Sequence, residues 1–254
     1  MHYLYTTFIY NPLYNGLVLL MNTAKIAPWI DAGMIVILFT IVVRLILFPL
    51  SKKAARTQVI MKTVEPEMNA LKEKYKDDKQ TQAVKMMELY KEKKINPFSS
   101  ILLLFIQLPI IIALYRIFYS TGFSTVHTEL LYGWVPIPPV VSTMFLGLLD
   151  VSKKSIILAL LAALSQYLQI SISVPKPAAR KEGSSKFGED FARNMQLQMK
   201  YVFPVMIFFI SWNLAGALAI YWITSNLFMI AQELYIRKQI QRENQAKATE
   251  VKTA

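Results

Sequence analysis

Among the polar side chains that interrupt the long apolar runs of this chain are Arg44, Gln107, Ser165, Gln166, Gln169, Thr224, Ser225 and Asn226. Covalent catalysis has little to work with among them. There is no cysteine, so thiolate chemistry, thiolate metal sites and disulfides are excluded. The two histidines, His2 and His127, lie far apart without liganding neighbours and read as surface or loop residues. Hydrolysis needs a nucleophile with a base, or a metal, and no span is expected to carry a histidine or a carboxylate. The expectation is a protein that is not an enzyme and holds no metal or cofactor. What remains is one fixed positive charge and a set of amide and hydroxyl hydrogen-bonding groups.

Arg44 is the sharpest of these groups. A charge well inside a span costs about 2.5–3.5 kcal/mol on insertion scales. Its side chain could snorkel to the nearer interface, or a water-filled cavity open to the cytoplasm could keep it solvated. No Asp or Glu is expected within any span, so Arg44 has no intramembrane ion-pair partner, which favours the wet cavity. Gln166 and Gln169, three apart, share a helix face and could line that cavity. Equally, the amides and hydroxyls could join helices through hydrogen bonds usually worth ~1 kcal/mol or less.

These residues need apolar elements to hold them. The chain is 54% hydrophobic and 17% charged, with net charge +12, and its apolar residues fall in charge-poor blocks. Residues 32–50 contain the single charge of Arg44, and 97–115 and 155–174 contain none. Each block is close to the roughly 20 residues that cross about 30 Å of hydrocarbon. The 32 charge-free residues 201–232 are too many for one span and few for two. Trp212-Asn213-Leu214-Ala215-Gly216 supplies a turn, which makes a hairpin of two short spans.

Of 28 Lys and Arg, 12 lie in 51–96, six in 175–200 and five after Gln232. By the positive-inside rule these segments are cytoplasmic. The fold expected is an all-α integral membrane protein of the cell inner (plasma) membrane, with the N-terminus outside and the C-terminus cytoplasmic. Residues 1–30 form an external interfacial helix, with Tyr3, Tyr5, Tyr10 and Tyr14 at headgroup level; a sixth span is the alternative. No cleavable leader is expected in them. Span 1 is 31–50, span 2 is 97–116, span 3 is 154–174, span 4 is 198–214 and span 5 is 216–236. Residues 51–96 are a cytoplasmic helical hairpin, 117–153 an external segment, 175–197 a cytoplasmic loop and 237–254 a basic tail.

The hairpin shows helical periodicity at Val64, Met68, Leu71 and Tyr75, then at Val84, Met87 and Tyr90 after the polar break 76–79. Twelve basic against seven acidic residues suit it to anionic headgroups. Its stripes either pack the two helices together or, with Met61, Met68, Met86 and Met87, offer an adaptable surface for apolar segments.

Several stretches carry a resemblance. They are VVRLILFPLS around Arg44, VEPEMNALKEKYKDD, MELYKEKKINPFSS leading into IQLPIIIALYRIF, FLGLLDVSKKS, YLQ, and MQLQMKYVFPVMIFFISWNLAGALAIYWITSNLF. In this order they resemble the YidC/Oxa/Alb family of membrane protein insertases over most of the chain. The resemblance implies a five-helix core enclosing a hydrophilic groove open to cytoplasm and lipid. It implies Arg44 as the groove's charge, with Gln107, Gln169 and Trp222 lining it, and the hairpin as a mobile element that first meets the substrate. Nascent membrane proteins are the implied clients, with the ribosome and the Sec translocon as further candidate partners and no role for a specific nucleic-acid sequence. From Arg237 onward the tail is short, with five basic and two acidic residues, which weakens tight ribosome docking. Compared with some members, the chain lacks a large external domain between the first two spans and a lipoprotein cysteine. A passive assembly scaffold and a small-solute transporter are the rival functions.

Overall fold

The computed structural model describes residues 2–93, 98–120, 123, 125–173 and 197–253. Most of the expected loop 175–197 lies outside the described residues. The chain begins in helical conformation, with the turn His2–Tyr5, a π-helical stretch Thr6–Tyr10, and α1 over Asn11–Met21, which Pro12 opens. Pro12, which has no N–H to donate, sits where the π-helical stretch, closed by the Asn11 amide on the Thr6 carbonyl, gives way to α-helix. Next come α2 over Ala32–Ile46, α3 over Phe48–Thr63, α4 over Glu65–Lys74 and α5 over Lys79–Glu92. Helix α6 covers Phe98–Ser120, α7 Ile156–Ser173, α8 Phe203–Asn213 after a π-helical turn Gln198–Val202, and α9 Gly216–Thr253. Between α6 and α7, β1 (Met144–Phe145) and β2 (Leu149–Asp150) form the two-stranded antiparallel sheet found among the described residues.

Helix α9, 38 residues long, is the spine; it packs against α7, α2 and α3. The main core joins Leu17 and Val18 of α1, Ile35 and Phe39 of α2, Leu114 and Ile117 of α6, Ile207 of α8 and residues 217–221 of α9. Helix α1 therefore sits against the bundle through Tyr14, Leu17, Val18 and Met21. A smaller cluster of Val59, Ile236 and Ile240 joins α3 to the far part of α9.

Helix α7 is patterned inside out. It buries Ala159, Ala162, Ser165 and Gln166 and exposes Ile157, Leu160, Leu161, Leu164 and Leu168. In water this arrangement would be unfavourable, because the aliphatic side chains are the ones that gain from burial. In lipid the driving force is reversed: small residues let backbones approach closely, and polar residues find partners only inside. Among the described residues, α7 is the one helix that is by itself long and apolar enough to cross a membrane; α2 and α3 pass together as a pair bent by 74°.

That bend divides residues 31–50. Helix α2 stops at Leu47, and Pro49 lies in the first turn of α3. A proline ring removes an N–H and collides with the carbonyl four residues earlier, so the helix cannot run straight through. At the other end of the chain, no break separates 216–236 from 237–253; both belong to α9.

The segment 125–153 is stitched to three helices. Asn15 of α1, buried, donates from Nδ2 to the Leu130 carbonyl at 2.9 Å, while its Oδ1 accepts from the Tyr132 amide at 2.7 Å. Asn22 donates to the Pro136 carbonyl, Lys25 to the Ile137 carbonyl, and the Tyr14 hydroxyl accepts from the His127 amide. Asp31 caps α2 through the Met34 amide with Oδ1 and holds the Leu146 amide with Oδ2, both at 2.9 Å. Two glycines permit the close approach. A Cβ on Gly33 would lie 2.2 Å from Phe145 Cδ2, and one on Gly216 would lie 2.8 Å from Leu158 Cδ1. The Gly216 and Ala217 amides donate to the Lys153 and Val151 carbonyls, satisfying orphan donors at the start of α9.

The α4–α5 hairpin is joined mainly to itself. Asp78 caps α5 through the Gln80 and Thr81 amides, Lys93 pairs with Glu67 at 3.1 Å, and Gln82 donates to the Lys72 carbonyl. Leu89 is the buried residue of α5, whereas Val84 and Met87 of the expected stripe stay exposed.

Candidate functional site

Arg44 occupies the last turn of α2 and is 9% exposed. The bend after Ile46 makes that turn a true helix C-terminus, where unpaired carbonyls concentrate negative potential; a cation there gains about 0.3–1 kcal/mol, and more when partly buried. The Pro49 bend thus lowers the cost of an arginine that the sequence alone places inside a straight span. No hydrogen bond or ion pair engages Arg44 among the described residues, and the Tyr221 phenol of α9 lies within electrostatic reach of its guanidinium. Gln107 of α6 donates from Nε2 to the Tyr221 hydroxyl at 2.6 Å. Tyr221 therefore ties α6 to α9 by a hydrogen bond inside the apolar core, with the Arg44 guanidinium of α2 in its neighbourhood.

A second polar row runs along the contact of α7 with α9. Asn226 donates from Nδ2 to Ser165 Oγ at 3.0 Å and to Gln166 Oε1 at 3.2 Å. Gln166 Nε2 donates to Gln169 Oε1 at 3.3 Å, and Gln169 Nε2 to Ser173 Oγ at 3.0 Å. The Ser173 hydroxyl donates to Glu233. Spacings of three and four keep Ser165, Gln166, Gln169 and Ser173 on one face of α7.

The row ends in an ionic cluster. Glu233 is 2% exposed, pairs with Arg237 one turn along α9, and lies 3.8 Å from Lys62 Nζ of α3. Lys62 and Arg237 both donate to the Ile172 carbonyl near the C-terminus of α7. Two cations around one carboxylate and one carbonyl pair the buried charge of Glu233, the condition under which burial is tolerated. A second ion pair, Arg56 with Glu243, binds α3 to α9 one to two turns further out.

The structure joins Gln107 to Tyr221 and Gln166 to Gln169, and places Arg44 in the neighbourhood of Tyr221 without a hydrogen bond to it. No hydrogen bond connects the two sets among the described residues. Trp222 is half-buried against the core and makes no hydrogen bond among the described residues. Asp31 and Glu233 correct the expectation that no carboxylate lies within a span: Asp31 opens 31–50, where it caps α2, and Glu233 falls inside 216–236, one position beyond the charge-free block ending at Gln232. Tyr221 was also missed, because a tyrosine in an apolar run reads as a core aromatic. Among the described residues there is no cluster of three metal-ligating side chains. The chemistry available is charge attraction and hydrogen bonding.

The sequence model of the family described as "60Kd inner membrane protein" matches residues 24–244. A protein of Clostridium tetani named membrane protein insertase YidC is 34% identical over 218 residues, covering 85% of this chain and 86% of that relative. One of the same name from Fusobacterium nucleatum is 31% identical over 233 residues, covering 92% and 98%. A third, from Francisella tularensis, is 33% identical over 211 residues and covers 82% of this chain but 33% of that longer relative.

Proposed function

We propose that this chain, which belongs to the YidC/Oxa/Alb family, is a membrane protein insertase that works through a half-depth polar groove. Spans are assigned to 31–50, 97–116, 154–174, 198–214 and 216–236, with the 65–92 hairpin and the end of α9 on the cytoplasmic side. The lipid-facing aliphatic stripe of α7 and the positive-inside charge distribution support this orientation. The single observation that carries the groove is Arg44: a cation at 9% exposure without an ion-pair partner among the described residues, on the same polar point as Gln107 and Tyr221.

A client with a short polar segment must bring backbone amides and carboxylates across hydrocarbon, where each unsatisfied group costs several kcal/mol. A groove reaching partway shortens that dry path. Arg44 attracts client carboxylates, strongly because the surrounding dielectric is low. Gln166 and Gln169 offer hydrogen-bonding groups along the α7–α9 face. The apolar part of the client then moves sideways into lipid, and its burial drives the step without nucleotide. The 65–92 hairpin, with exposed Val84 and Met87, is the element that first meets the client.

The test is reconstitution of the purified chain alone with a single-span client whose translocated terminus is acidic. Arg44→Ala lowers insertion roughly tenfold, equivalent to about 1.4 kcal/mol, and Arg44→Lys retains most of it. Equal insertion by wild type and Arg44→Ala overturns the charge-attraction mechanism. Failure of the wild-type chain to move the terminus across would favour a passive assembly scaffold, and solute flux in the same liposomes would favour a transporter.

A further inference from the structure

The segment closing the side opposite the hairpin has an unusual composition. Residues 130–149 are 20 positions without one charged side chain. The segment is hydrogen-bonded into place, yet much of its apolar surface is not in the core. Trp134, Ile137, Val140 (96% exposed), Leu146 (58%) and Leu148 (78%) stand free, as does Trp29 in the link before α2. The tip of the β1–β2 hairpin is Leu146-Gly147-Leu148. Leu146 has φ 52°, in the left-handed region that disfavours a branched side chain. The Leu146 amide is held there by Asp31 Oδ2, on the carboxylate that caps α2. The tip is therefore fixed against the first residues of α2, at the level where a spanning helix leaves the hydrocarbon. Past residues 150–155, which include Asp150, Lys153 and Lys154, α7 begins its exposed aliphatic stripe with Ile156 and Ile157. A charge-free, tryptophan-bearing surface at that depth matches the boundary between headgroups and acyl chains, not bulk water.

We propose that the rim formed by Trp134, Ile137, Val140 and the Leu146–Leu148 tip dips into the outer leaflet and anchors that end of the bundle through lipid acyl chains. The proposal rests on the orientation assigned under Proposed function, with 117–153 external.

The absence of native cysteine makes single-site labelling direct. Leu148→Cys, Val140→Cys and Lys153→Cys are each labelled with a nitroxide in the full chain, reconstituted into phosphatidylcholine–phosphatidylglycerol vesicles. Collision with oxygen and with a water-soluble nickel chelate then reports depth. Labels at 148 and 140 are expected about 5–10 Å below the headgroup level, and the label at 153 in water. Nickel accessibility at 148 equal to that at 153 overturns the proposal. Spin–spin broadening at 148 that disappears on dilution with unlabelled protein also overturns it, by assigning the rim to a contact between copies. In intact cells, Lys153→Cys reacts with an impermeant maleimide if the segment is external. Its protection would overturn the orientation, and the rim with it, a result distinct from a water-exposed tip on an external segment.

Discussion

The 125–153 segment and the 65–92 hairpin both connect apolar helices, and they are held in opposite ways. The first gives its backbone to the bundle: amides and carbonyls of Leu130, Tyr132, Pro136, Ile137, Leu146, Val151 and Lys153 bond to Asn15, Asn22, Lys25, Asp31 and the start of α9. The bonds of the second found among the described residues include internal ones: the Asp78 cap, the Lys93–Glu67 pair and the Gln82–Lys72 contact. A connection whose polar groups are satisfied by neighbouring helices moves only with them, whereas one satisfied internally is free to move as a unit. Among the described residues, one connection is bonded into its neighbouring helices and the other mainly within itself.

Four changes would break or sharpen that contrast. Gly33→Val has the largest expected effect: its added carbon overlaps Phe145, and overpacking of this kind costs about 3 kcal/mol. The midpoint of thermal unfolding in detergent should fall clearly, and an unchanged midpoint would mean that the sheet is not seated on α2. Asn15→Ala strands the Leu130 carbonyl and the Tyr132 amide and should cost about 2 kcal/mol, visible as faster amide exchange confined to 125–153. Val84→Ser with Met87→Ser should leave the unfolding midpoint within about 0.5 kcal/mol of wild type; a larger drop would show the arm packed onto the bundle.

The smallest effect is a pH dependence at Asp150. The Ser152 hydroxyl, bonded to its carboxylate at 2.6 Å, and then Lys153 pull its pKa from 3.8 down to about 2. A carboxyl depressed on folding stabilises above its unfolded pKa and loses that contribution as pH falls through the folded one. The unfolding midpoint should therefore slip between pH 4 and pH 2 in the wild type, and the slip should be shallower in Asp150→Asn.

The helical, membrane-embedded character of the chain was legible because charge-free blocks record the solvent a segment faces. Arg44 and the Gln166–Gln169 pair stood out because polar groups in such blocks are expensive. The bend at Leu47 was carried by Pro49, but a block counted only for charge hides a proline near its end. Glu233 lies just past a charge-free block, so block length hides it, though the helix continues and Lys62 and Arg237 neutralise that carboxylate from two elements. The stitching by Asn15, Asn22 and Asp31 had no periodic signal, since its partners lie more than a hundred positions away.

Helix α9 has a mechanical consequence. From Gly216 to Thr253 it is a single hydrogen-bonded rod, about 57 Å long at 1.5 Å per residue. It carries Tyr221 and Asn226 near one end, and Arg56 grips Glu243 near the other. A shaft without a joint transmits rotation along its whole length. No helix break therefore separates the Glu243 bearing from the contacts that Tyr221 and Asn226 make with α6 and α7.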